Sequence, residues 1–90
     1  MDSLQSTATH ALRALLDGQP TTPAKVAFAW RMAAGPALAK GTEPEWRDGV
    51  LVVRARTEAW RRELRRARPV LSARVQALVG PDVVKKIVIE

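Results

Sequence analysis

Trp46-Arg47-Asp48-Gly49-Val50-Leu51-Val52-Val53-Arg54-Ala55-Arg56-Thr57-Glu58-Ala59-Trp60 is the stretch that decides the fold. Asp48-Gly49 is a two-residue hairpin signal, because both residues tolerate the positive φ of a type I′ turn. It predicts a short strand over Pro44–Arg47 and a second over Val50–Arg56, with Trp46 opposite Leu51. Alternation then puts Leu51, Val53 and Ala55 on one side of the sheet, and Val50, Val52, Arg54 and Arg56 on the other. The first set is the expected core face and the second an open face. At Thr57 the period changes from two to that of a helix. Thr57 is a candidate N-cap, and Trp60, Leu64, Ala67, Leu71, Val75 and Leu78 recur at steps of three and four as far as Val79. Pro69 lies inside this run and predicts a kink near Arg65–Arg68.

Upstream, Leu4, Ala8, Ala11, Leu12, Leu15 and Leu16 predict a helix over 3–16, capped by Asp2 or Ser3 and stopped by Gly18. Thr22-Pro23 starts another, with Thr22 as N-cap and Pro23 at the first helical position. Its stripe is Val26, Ala27, Trp30, Ala33 or Ala34, Ala37 and Leu38, and Gly35-Pro36 predicts a bend or restart within it. Downstream, Val83–Ile89 predicts a third strand. The expected architecture is a single α+β domain over residues 1–90, of order ααββαβ, with a three-stranded sheet and helices packed on one face.

The charge is segregated. From Arg54 to Arg74 eight arginines face only Glu58 and Glu63, a net of +6, while seven bases balance seven acids elsewhere. Arg forks match phosphate oxygens and stack on unpaired bases. Arg54, Arg56, Arg61, Arg62, Arg65, Arg66, Arg68 and Lys86 are therefore the candidate nucleic-acid contacts. Arg61, Arg65 and Arg68 form one flank of the long helix and Arg62 and Arg66 another. Arg54, Arg56 and Lys86 extend the cluster if the sheet and helix surfaces meet. The plain alternative is a solvated helix face that keeps a small domain soluble. Trp30 and Trp60 fall on apolar stripes and read as core. Trp46, on a short strand, is a candidate for partner contact, together with Val50 and Val52. Val84 and Val88 are expected on the same open face.

The search for chemistry returns little. One His, His10, falls off its helix stripe and reads as solvent-exposed. No Cys and no cluster of carboxylates offers a metal set, no P-loop or Gly-rich dinucleotide turn is present, and no nucleophile has a positioned base. Glu58 and Glu63 read as surface ion-pair partners. The expectation is a protein that binds without catalysing, with no cofactor and no metal. No apolar run is long enough to span a membrane, and the N-terminus carries no secretory pattern, so a cytoplasmic protein is expected.

Several short pieces in order resemble the DciA-like family of bacterial replication proteins. They are Ala29-Trp30, Ala34-Gly35-Pro36-Ala37-Leu38-Ala39, Thr42-Glu43-Pro44, Asp48-Gly49-Val50-Leu51-Val52-Val53, Ala59-Trp60, Glu63-Leu64, Leu71 with Val75, and Ile87-Val88-Ile89. The resemblance covers roughly residues 4–90. It implies a KH-like fold, like the first domain of the initiator DnaA, and Trp30 and Trp60 as scaffold. It also implies binding of the replicative DnaB-type helicase and its loading onto single-stranded or forked DNA, without ATPase activity. Relatives often continue into a basic tail or carry zinc-ribbon cysteines. This sequence has no Cys and is expected to lack the tail, so the domain is expected either to bind DNA weakly or to depend more on its own arginines. Gly35-Pro36-Ala37-Leu38 is not the Gly-x-x-Gly loop of KH modules that grip RNA. The alternatives are a protein-interaction module with an acidic partner and no nucleic acid, a weak homodimer through the open sheet face, and a KH-like RNA-binding protein.

Overall fold

The computed structural model describes the backbone of residues 2–90 and the side chains of residues 8–90. The expected cap at Asp2 or Ser3 and the stripe position Leu4 lie outside the described side chains. Seven elements follow one another: α1 (Asp2–Asp17), α2 (Pro23–Ala34), α3 (Pro36–Lys40), β1 (Thr42–Arg47), β2 (Val50–Ala55), α4 (Glu58–Val79) and β3 (Lys86–Ile89). The order is the one expected, with the second helix divided in two.

The division has a local cause. Gly35 has φ +86°, a conformation that side chains disfavour, and Pro36 then opens α3 at its first position. Thr22 caps α2, its Oγ1 accepting from the Lys25 amide at 3.2 Å. In the hairpin Asp48 has φ +47° and Gly49 +81°, as a type I′ turn requires, and Trp46 pairs with Leu51.

The sheet order is β1-β2-β3, with β1 antiparallel and β3 parallel to β2. A parallel neighbour needs a crossover, and α4 provides it. Leu51, Val53 and Ile87 on one sheet face meet Val26, Ala29, Trp30, Leu64, Leu71 and Val75 from the helices. The helices thus cover a single face. Trp30 is fully buried, and its Nε1 donates to Thr42 Oγ1 at 3.1 Å, which in turn donates to the Leu38 carbonyl at 2.7 Å. Thr42 is thereby satisfied at an otherwise apolar position.

Two strand boundaries depart from expectation by more than one residue. β1 begins at Thr42 rather than Pro44, because β1 is an edge strand and Pro44 can pair with Val53 without needing its missing N–H on the outer side. β3 begins at Lys86 rather than Val83, since residues 81–83 form a turn in which the Val83 and Val84 amides both donate to the Gly80 carbonyl. Val84 is consequently fully buried in the core, not on the open face. α4 spans Glu58–Val79 as expected, with Pro69 inside it and exposed.

Candidate nucleic-acid interface

The placement of every arginine on α4 follows from its first turn. Thr57 Oγ1 accepts the Trp60 amide at 3.1 Å, and Trp60 turns inward beside Gly41. With that phase set, four lines run down the helix. Trp60, Leu64, Leu71, Val75 and Leu78 face the core. Arg61, Arg65, Arg68, Ser72 and Gln76 form the next line at helical spacing. Gln76 Nε2 donates to the Val84 carbonyl at 2.9 Å, so this line lies on the side of the molecule that leads into β3. Arg62 and Arg66 occupy the outer crest with Pro69 and Ala73. Ala59, Glu63, Ala67, Val70 and Arg74 form the last line, turned toward α3, with Arg74 Nη1 donating to the Ala33 carbonyl at 3.3 Å.

The candidate cations differ sharply in what already holds them. Arg61 pairs with Glu58 and Arg66 with Glu63, each at i,i+3. Arg54 pairs with Glu45 at 2.8 Å and with Glu90 at 3.5 Å. Arg56 pairs with Glu43 at 3.2 Å and donates through Nε to the Lys40 carbonyl at 2.8 Å. Arg47 holds Glu45 from the other side. The hydrogen-bonded Arg47 guanidinium, with Arg54 beside it, keeps the Glu45 carboxyl below its usual range, and Glu45 raises Arg47 in return. The open face of the sheet is thus a lattice of alternating charge. Among the described residues Arg62, Arg65 and Arg68 have no ion-pair partner, and all three are exposed.

Arg62, Arg65 and Arg68 lie within two turns of one helix, the outer two about 9 Å apart along its axis. Arg54 and Lys86 belong to the sheet face opposite the helices, so the structure does not bring them to the arginines of α4, while Arg56, just before the Thr57 cap, is turned to Glu43 and the Lys40 carbonyl. Val50 and Val52 are half-buried on that face, flanked by Lys86 and Val88. Trp46 lies on the core side, half-buried, with its Nε1 donating to the Val83 carbonyl at 2.8 Å. Trp60 is half-buried and packs against the core, and His10 is exposed. Ala59 and Val70 lie beside the predicted apolar stripe, and Ala67, predicted within that stripe, joins them on the flank toward α3. The only signal of that flank in the sequence is a set of small or apolar residues at helical spacing.

Among the described residues no three His, Cys, Asp or Glu side chains are grouped as a metal would need, and no helix is long and apolar enough to cross a membrane. Fold and surface together define a KH-like α+β domain with a basic helix. Residues 3–89 match the family model described as "Dna[CI] antecedent, DciA". The chain belongs to the DciA family, and so to a replication-related family of the helicase-loading kind. No curated protein and no solved structure gives a significant match.

Proposed function

We propose that this protein is a non-enzymatic replication accessory factor that binds the replicative DnaB-type helicase and single-stranded or forked DNA. Arg62, Arg65 and Arg68 supply its phosphate contacts. Family membership supports the helicase-loading half of this reading. The observation that supports the DNA half is the set of three exposed arginines on α4 without carboxylate partners among the described residues. Arginine already held by glutamate must exchange one anion for another, whereas an unpaired fork gains a charge-assisted contact outright. The Trp side chains sit in or against the core, so binding rests on phosphates rather than on base stacking. Affinity should then depend little on base sequence.

Titration of the purified protein into labelled single-stranded DNA at two salt concentrations, with and without the helicase, tests the proposal. Salt-sensitive binding by the protein alone, together with binding to the helicase, is the expected outcome. Helicase binding with no DNA binding would instead make the protein an interaction module whose charge meets an acidic partner.

A further inference from the structure

The flank of α4 turned away from the three arginines is built differently. Ala59, Trp60, Glu63, Ala67, Val70, Leu71 and Arg74 form one wall of a groove of about 540 Å³. The α2–α3 junction, from Ala34 to Leu38, forms the other. The groove stays open because half of the residues lining it are Ala, Gly or Pro, which reach little into it. Val70, at 52% exposure, is one of the few large apolar side chains left in water among the described residues. Ala59, Glu63, Ala67, Val70 and Arg74 step by four, four, three and four, which is the spacing of a helix–helix seam. That seam is about 22 Å long. Small residues along it allow a second helix to approach closely.

Charge selects the occupant. Arg66 stands on the crest between Glu63 and Val70, Arg62 one residue before Glu63, and Arg74 closes the far end. Glu63 is the one acid in the groove and is engaged by Arg66. An apolar floor under a rim with net positive charge fits an amphipathic helix whose apolar stripe is flanked by Asp or Glu. A second copy of this chain is a poorer match: α2 has no acid and two bases, and α4 is strongly basic. α1 already packs against α4 and has its two acids only at its ends, Asp17 being paired with Arg13. Phosphodiester strands have no apolar stripe for the floor to cover.

We propose that this groove docks an acidic-flanked amphipathic helix of a protein partner. Resting on the function proposed above, that partner is the replicative helicase. α4 then works with two sides. One flank holds a protein helix and the other holds phosphates, with Arg62 at the crest between them, so helicase and single strand bind together.

The test uses the whole chain and the intact helicase in a surface binding assay, with labelled single-stranded DNA measured in parallel. Val70→Asp places a carboxylate four residues from both Arg66 and Arg74, pairings compatible with the helix. It should weaken helicase binding about tenfold or more, as loss of a central apolar anchor does. DNA affinity and the thermal midpoint should stay near wild type. Ala37→Glu, on the opposite wall and also exposed, should act in the same way, and Val70→Ile should not. Arg65→Glu/Arg68→Glu should do the reverse, losing DNA and keeping the helicase. Unchanged helicase affinity in both Val70→Asp and Ala37→Glu would overturn the groove while leaving the proposed function standing. Failure of the wild-type chain to bind the helicase would overturn both. Loss of self-association alone in Val70→Asp would assign the groove to a second copy and overturn this occupant.

Discussion

Raising salt from 50 to 200 mM separates a three-arginine contact from a wider one. Each phosphate neutralised on a single strand contributes about −0.7 to the slope of log K against log salt. Arg62, Arg65 and Arg68, the α4 arginines of the site without ion pairs among the described residues, give a slope near −2.1. Over a fourfold rise in salt that is about an 18-fold loss of affinity. If Arg61 and Arg66 abandoned Glu58 and Glu63 for phosphate, five contacts would give about −3.5 and a loss of roughly 130-fold. The two are easily distinguished by fluorescence anisotropy of a labelled oligonucleotide titrated at four or five salt concentrations. The result should be the same for oligonucleotides of different sequence. A slope near −3.5 would refute the argument that the glutamates withhold their arginines. A slope near zero would refute phosphate binding by α4 altogether.

Three further outcomes follow from the packing. A Cβ on Gly41 would overlap the Trp60 indole, and Gly41 has an ordinary φ of −84°, so Gly41→Ala should destabilise by overpacking alone, by about 1–3 kcal/mol in urea unfolding. Thr42→Val removes the acceptor of the buried Trp30 Nε1 and should cost about 1–3 kcal/mol, read from the same unfolding midpoint. Glu45 has a folded pKa below its ordinary 4.5, so its contribution to stability is complete above that value and fades as pH falls through the lower folded one; Glu45→Gln should flatten the acid limb of a thermal-midpoint profile.

Local chemistry explains which parts of the fold were legible. Asp48-Gly49 fixes both turn and register, because a slip by one residue would carry Leu51 and Val53 out to solvent. Thr22-Pro23, Gly35-Pro36 and Thr57 likewise act on their own neighbours, and the helix boundaries they imply agree with the structure to within one residue. The start of β3 was misread because Val83-Val84 continues the apolar run while the chain is still turning, and only the packing of Val84 beneath the sheet reveals it. Thr42-Glu43 was missed because its strand character comes from pairing with Arg54 and Ala55, not from its own composition.

For the site, the sequence shows where arginines are, and tertiary structure decides which of them are engaged. Glu58–Arg61 and Glu63–Arg66 are pairs at helical spacing and could be read directly. Glu45 and Glu90 reach Arg54 only because β1 and β3 flank β2, which no local pattern discloses. The separation of Arg54 from α4 has the same origin: it alternates away from Leu51 and Val53, onto the face the helices leave uncovered.

The most direct test of the central claim is the affinity of Arg65→Glu/Arg68→Glu for labelled single-stranded DNA at 100 mM salt. Loss of two phosphate contacts predicts binding weaker by at least about 25-fold, with further loss from the repulsion of the new carboxylates. Because both positions are exposed, the thermal midpoint should stay close to that of the wild type. An affinity equal to the wild type's, in a folded double variant, would contradict the assignment of phosphate binding to α4.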